Sequence, residues 1–319
     1  MTTAQREALA RLGSMATADE SLAAYTTYRV GGAAAVFASP TTDEELHLVA
    51  EVVRDTGLPT LVVGRGSNLL VADAGFPGIA ISLARMSEWV RFDDVVVHAG
   101  AAMALPVLAR RCVAAGLVGF EWAVGVPGSV GGAVRMNAGG HGSDMAASLV
   151  GVHLLDLHTT NHAWVGVDQL HLRFRGSDIA DHQVVLDARL RLQHGDTEAA
   201  EATLAEIVRW RREHQPGGQN AGSVFVNPIP GQLAAAELID RIGLRGFSIG
   251  GASVSEKHAN FIQAGENCTA ADVRAVIEHV RAEVLRTAGV ELRSEVTLVG
   301  FDDLASERAA SLFHTGIAL

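Results

Sequence analysis

The sequence predicts an α+β protein made of successive units rather than one uniform layer. Three observations carry that expectation. An early strand, Thr60 to Val63, follows a helix and runs straight into a glycine-rich loop, Gly64 to Asn68. A middle stretch, Val150 to Leu192, alternates apolar and polar residues with the period of half-buried antiparallel strands. The last third holds two capped helices and an alternating stretch, Val290 to Val299.

Residues 1–24 read as a helical or loose lead-in. Residues 26–40 are strand-like, with an interruption at Gly31-Gly32. Thr42-Asp43-Glu44-Glu45 is a capping box. The helix it opens carries Leu46, Val49, Ala50 and Val53 on one face and stops at Gly57. The loop Gly64-Arg65-Gly66-Ser67-Asn68 is not a dinucleotide fingerprint, because Leu69 stands where the third glycine belongs. It is not a Walker loop either, since no Gly-Lys-Ser/Thr follows. Strands over 78–83 and 95–99 precede a helix over 104–115 that ends at Gly116.

Next comes the densest glycine stretch, Gly119 to Gly142, reading GFEWAVGVPGSVGGAVRMNAGGHG. Glycine loses the most backbone freedom on folding, so such a cluster needs a cause. One is close approach of backbone N–H groups to a bulky anion; the other is a tight turn of small residues. Pro127-Gly128-Ser129 reads as a turn opening a short helix. Two glycine loops, each after apolar strand-like sequence, could grip two sides of one large cofactor. A hairpin with its tip at Thr159-Thr160-Asn161 follows. In the long strand after it, Val184, Leu186, Ala188, Leu190 and Leu192 alternate with Val185, Asp187, Arg189 and Arg191. A new unit begins near Gly195. Asp196 or Thr197 caps its first helix, which runs to Pro216-Gly217-Gly218, and Thr269 and Asp272 open a second that ends at Gly289.

With 319 residues and 48% hydrophobic content, two or three domains with real cores are expected. The net charge of −11 argues against nucleic acid as a partner. It leaves room for a nucleotide held by backbone N–H groups and a few arginines. Cys112 and Cys268 are far apart and suit a reducing cytoplasm. No basic stretch followed by an apolar run opens the chain, and no run is long enough to span a bilayer, so neither a signal peptide nor a membrane partner is expected. His158 and His162 have metal-like spacing but flank a hairpin tip, so no metal is expected.

Four local features could carry chemistry. Arg175, beside a Gly-Ser turn, could clamp a carboxylate, or could be a solvated surface arginine. Ser223, after Gly222 at the start of a strand, could expose its hydroxyl or only satisfy a turn; the nucleophile-elbow frame is missing. Glu295 stands on the polar face of an otherwise apolar strand and could simply face water. Lys257-His258-Ala259-Asn260 offers a cation, an imidazole and an amide to phosphate or sugar hydroxyls, or is a polar loop.

The motifs YRVGG, GRGSNLLVAD, GFEWAVGVPGSVGGAVRMNAG, FRGSDI, AGSVFVNP, GLRGFSIGGASVSEKHANFI and GVELRSEVTLVG, in that order, strongly resemble the UDP-N-acetylenolpyruvoylglucosamine reductases. The resemblance runs from about Tyr25 to Phe301 and is to the shorter of the family's two types. It implies the two-subdomain FAD-binding fold of the vanillyl-alcohol-oxidase type plus a C-terminal α+β substrate-binding domain. The units would be a lead-in at 1–24, FAD-binding subdomains at 25–83 and 84–194, a substrate domain at 195–301 and a tail at 302–319. It also implies an NADPH-dependent, cytoplasmic enzyme of peptidoglycan synthesis with no obligate protein partner. That enzyme reduces the enolpyruvyl group of UDP-N-acetylglucosamine-enolpyruvate, with hydride passing from NADPH to FAD and then to substrate C3.

By motif, Arg175 and Glu295 match the family's enolate stabilisers and Ser223 its proton donor to C2. The FAD contacts would come from Gly64, Arg65, Gly66, Ser67 and Asn68, and from Gly125, Pro127, Gly128, Ser129, Gly132, Asn137, Ala138 and Gly139. The substrate contacts would come from Asn227, Lys257, His258 and Asn260. The first loop has no histidine, so FAD is expected to be non-covalent. His214, Val226 and Thr297 depart from residues common in the family, and Arg135 stands where an uncharged side chain is more usual. The alternative is another FAD-dependent oxidoreductase of this fold, acting on an alcohol or sugar acid.

Overall fold

The computed structural model describes residues 1–301. The first unit is a four-stranded sheet in the order Ala16–Ser21, Ala33–Ala38, Phe76–Ile81, Thr60–Val62. The first pair is antiparallel and the others are parallel. The N-terminal stretch is therefore no loose lead-in. Helix α1 (Thr3–Leu12) packs on α2 (Asp43–Thr56), and Ala16–Ser21 is the outer strand of the sheet. The sequence hides this strand because ATADES has no apolar alternation; it pairs only at an edge. Helix α2 forms as its sequence dictates. The Thr42 hydroxyl accepts the Glu45 amide, worth about 1 kcal/mol, and Gly57 ends the helix in the left-handed region at φ 63°.

The second unit is a five-stranded antiparallel sheet in the order His162–Gly166, Leu149–Asp156, Gln183–Arg191, Val96–Gly100, Val90–Asp93. Its register slips between His153 and Leu154. That bulge shifts the phase of the expected alternation at Leu186, and beyond it Val184 and Val185 are both buried. Helix α3 (Leu105–Ala114) and the short α4 (Val130–Arg135) belong to this unit, with α4 lying against Gln183–Arg191. His158 stacks on His182 and His162 on His47, so the two rings of the i,i+4 pair go separate ways.

Helix α5 (Thr197–His214) corrects the boundary expected at 195. Its apolar stripe, Ala200, Leu204 and Ile207, joins the core shared by the first two units and packs on α3 and the Glu121–Gly125 turn. The division falls after α5. The third unit then packs α6 (Ala235–Arg241), α7 (Ala270–Ala288) and a small antiparallel sheet, Ser248–Ile249, Ala252–Val254 and Ile262–Ala264, around its own core. Helix α6 escapes sequence reading because it has two turns and no side-chain cap.

The final stretch differs most from expectation. Only Thr297–Val299 is a strand, and it pairs in parallel with Leu69–Val71 of the first unit. The residues before it bond elsewhere: Val226 N donates to the Arg293 carbonyl, and Glu295 N donates to the Val224 carbonyl at 2.7 Å. One short segment thus serves two units and cannot be one continuous strand. Tyr28, Val30 and Leu70 of the first unit are in turn buried in the third unit's core. The tail assigned to 302–319 lies outside the described residues. Among the described residues, no helix is long and apolar enough to cross a membrane.

Candidate functional site

The two glycine loops meet. Gly66 has φ 56°, and a Cβ there would sit 2.1 Å from the Tyr25 carbonyl oxygen, so no larger residue fits. A Cβ on Gly64 would lie 2.4 Å from Ser129 Oγ, and one on Gly128 would lie 3.6 Å from Ser67 Oγ. The turn that opens α4 therefore faces the loop after Thr60–Val62 with little but backbone between them. A cavity of about 380 Å³ opens along this seam.

Gly64, Arg65, Pro127, Ser129 and Gly132 line the cavity. Its remaining walls mix apolar side chains, Val62, Leu83, Ala84, Ile179 and Val185, with polar Ser82 and Gln183; Arg29 and Arg135 are further cations and Glu88 an anion. Apolar wall residues, small backbone-rich loops and several guanidinium groups fit a ring system carrying a diphosphate. The residues present therefore fit FAD.

Other predicted cofactor residues shape the loops instead of the wall. Gly125 packs under the His141 ring. The Gly128 carbonyl accepts the first amide of α3, from Leu105. Asn137 is buried in the left-handed region at φ 37°. Its side-chain nitrogen donates to Asp144 and to the Arg173 carbonyl, and its oxygen accepts the Ala146 amide. Ala138 donates to the Ala133 carbonyl and accepts from Met145.

Sequence reasoning misses Arg29 and the Tyr25–Thr27 stretch, which line the same cavity. The available signal is Gly31-Gly32. A Cβ on Gly31 would lie 2.4 Å from the Val71 carbonyl oxygen, so this stretch is pressed against the strand after the first loop. Arg135 also finds a place. Its guanidinium donates to the Ala180 carbonyl and pairs with Asp181, while Ser177 Oγ donates to its carbonyl at 2.7 Å. It ties α4 to the segment that follows Arg175.

Arg175 and Glu295 come together beside the second glycine loop. Arg175 lies in a tight turn closed by mutual bonds between Arg173 and Gly176. Its φ of 55° is rare for a residue with a side chain, a form of strain that gathers at functional sites. Its Nε donates to Glu295 Oε2 at 2.9 Å and Nη2 to the Gly139 carbonyl at 3.1 Å. The guanidinium also lies over the Phe174 ring. Glu295 is largely buried, with 15% of its side chain exposed. Burial pushes its carboxyl above the usual range, and Arg175, then Arg293, pull partly against that.

Ser223 is one residue from Val224, whose carbonyl accepts the Glu295 amide, and Phe225 bridges Ser294. Asn260 holds this segment. Its side chain accepts the Phe225 amide at 2.9 Å and donates to the Phe225 carbonyl at 2.8 Å, and its carbonyl accepts the Val224 amide. The expected substrate residue Asn260 is thus buried and its amide is taken up by the chain itself. Asn227 accepts the Ala235 amide at the start of α6. Lys257 Nζ donates to the Arg212 carbonyl near the end of α5 at 2.6 Å. Burial, then Arg245 and His214, push the His258 imidazole below its ordinary value, and His258 Nδ1 accepts the Asn260 amide.

Fold and cleft together define an FAD-binding α+β protein: residues 34–160 match the FAD binding domain family model. Residues 214–299 match the model for the UDP-N-acetylenolpyruvoylglucosamine reductase C-terminal domain, whose start agrees with the boundary after α5. The chain is 44% identical over 283 residues to the reductase of that name from Heliobacterium modesticaldum, covering 88% of this chain and 90% of the relative. It is 39% identical over 290 residues to that from Synechococcus sp. WH7803, covering 88% and 92%. The crystal structure of the enzyme from Thermus caldophilus superposes with a TM-score of 0.75 at 33% identity, over 89% of this chain and 98% of that one. The chain belongs to the UDP-N-acetylenolpyruvoylglucosamine reductase family of oxidoreductases.

Proposed function

We propose that this chain reduces the enolpyruvyl group of UDP-N-acetylglucosamine-enolpyruvate to UDP-N-acetylmuramate, for bacterial peptidoglycan. NADPH is the electron donor, FAD is held non-covalently, and the enzyme works in the cytoplasm. The observation that carries this reading is the convergence of Arg175, Glu295 and the Ser223 segment beside Gly139, next to a cleft that fits FAD. FAD, when bound, supplies hydride chemistry that no side chain can.

The chain's own residues handle charge and proton. When hydride reaches C3 of the substrate, negative charge develops at C2 and on the carboxylate. Arg175, its Nε fixed on Glu295 and its Nη2 on Gly139, is placed to hold that charge. Ser223 hands a proton to C2. A hydroxyl is a weak acid, so it needs a strongly basic partner and a relay behind it. Glu295, with a carboxyl raised by burial, is suited to hold that relay proton. Burial, then Arg245 and His214, lower the proton affinity of His258, which favours its neutral form as a hydrogen-bonding group.

The test is anaerobic. NADPH should bleach the bound flavin, and the enolpyruvyl-UDP-sugar should restore its colour. A flavin that stays oxidised under NADPH sinks the reading. Rapid oxygen-dependent turnover of a small alcohol or sugar acid, with indifference to the UDP-sugar, would instead indicate another oxidoreductase of this fold.

A further inference from the structure

Asn68 is the last residue of the first glycine loop, and by motif it would be a cofactor ligand. The geometry points elsewhere: we propose that the Asn68 side chain is a positioning residue for Glu295, making the flavin loop and the active-site carboxylate one hydrogen-bonded piece. The inference rests on the function proposed above.

Asn68 does not line the cavity, although Gly64 and Arg65 of the same loop do. Its Nδ2 donates to the Glu295 main-chain carbonyl at 2.9 Å, across 227 residues of sequence. Its own carbonyl accepts the Thr297 amide at 2.9 Å. The next three residues, Leu69–Val71, pair in parallel with Thr297–Val299. Asn68 thus begins the ladder by which the end of the chain joins the first unit.

Glu295 has three anchors. Its amide donates to Val224 in the third unit, its carboxylate accepts Arg175 of the second, and its carbonyl accepts Asn68 of the first. The first and third bonds fix the peptide planes on either side of its Cα, and so fix the base from which the side chain swings. Without Asn68 the plane of the Glu295 carbonyl keeps only a local hold, the Val296 amide donating to Ser294 Oγ at 3.1 Å within the same segment, and loses its tie to the first unit. A shift of about 1 Å at a catalytic group can cost roughly 10²-fold in rate. Thr297 N alone cannot replace the lost bond, because it holds the chain two residues further on.

The isosteric change Asn68→Asp keeps the volume and the backbone carbonyl but replaces the donor with an anionic acceptor, and Asn68→Ala removes the donor without adding that charge. Apoprotein titrated with FAD should show a dissociation constant within about 2-fold of wild type, and anaerobic reduction by NADPH should keep its rate. Reoxidation of the reduced enzyme by the enolpyruvyl-UDP-sugar should slow by roughly 10- to 100-fold. Asn68→Ala, should the aspartate variant not fold, is read by the same three measurements. If FAD affinity and both half-reactions fall together, Asn68 is a cofactor ligand and the proposal is overturned; unchanged reoxidation overturns it as well. Failure of the functional reading would look different: wild-type reduced enzyme would itself ignore the UDP-sugar.

Discussion

The candidate cofactor cleft and the proposed active centre lie side by side and are built in opposite ways. The cleft is built around two loops that are mostly backbone. Each loop is one continuous stretch of sequence, rich in glycine, and shaped by what is missing from it. The proposed active centre draws on three segments, 173–176, 221–225 and 293–297; Arg175 and Glu295 meet across units, while Asn260 holds 221–225 within its own. A site made of absences tolerates few additions, whereas a site made of distant side chains fails by small displacements. The two should therefore break differently under mutation.

The largest effect is expected at the side-chain site. Arg175→Ala should lower kcat for the enolpyruvyl substrate by about 10²- to 10³-fold, the usual cost of removing a stabiliser of developing charge. NADPH reduction of the flavin should stay near the wild-type rate. If stopped-flow shows both half-reactions falling alike, the separation between cleft and centre is wrong. Next comes the cleft. Gly66→Val adds a clash with the Tyr25 carbonyl to a left-handed backbone, a strain of order 1–3 kcal/mol from the backbone alone. It should be purified with little FAD, which the ratio of flavin to protein absorbance reports.

Asn260→Ala tests the clamp that holds the Ser223 segment. It strips the partners from the buried Phe225 amide and carbonyl and should cost about 1–3 kcal/mol, read by chemical denaturation. FAD content should hold in the folded fraction while turnover falls. The smallest effect is a pH trend. Glu295 has a carboxyl raised by burial, so its contribution to stability is full below the unfolded value and is lost as pH rises through the folded one. Glu295→Gln removes that loss. Its Tm relative to wild type should therefore rise between about pH 4, the ordinary carboxylate range, and neutrality, although the variant is catalytically poor. A difference in Tm that is flat with pH would mean that burial does not govern this carboxyl.

The same contrast explains what could be read beforehand. The capped helix after Thr42, the turn at Pro127-Gly128-Ser129 and the meeting of two glycine loops were legible, because each is written in a few adjacent residues. Arg175, Ser223 and Glu295 each looked as ordinary as a surface residue until the family resemblance singled them out. Their meeting depends on bonds such as Glu295 N to Val224 and Arg175 to Gly139, which no local pattern encodes. The edge strand Ala16–Ser21 is hidden for want of apolar residues, and a helix cap does not tell which core a helix will join, so the packing of α5 with the first two units is not legible from its cap.

The parallel pairing of Leu69–Val71 with Thr297–Val299 also bears on how the protein is made. During synthesis the two glycine loops leave the ribosome long before Val299. Until it does, the strand that follows the first loop lacks a neighbour, and Tyr28, Val30 and Leu70 lack the core that buries them. Contacts this distant in sequence form late and slowly. A nascent chain released early would carry both halves of the cleft with its first loop unsupported. Assembly with FAD is thus set to be among the last events of folding, and chains cut short before 297 should neither retain the flavin nor resist proteolysis.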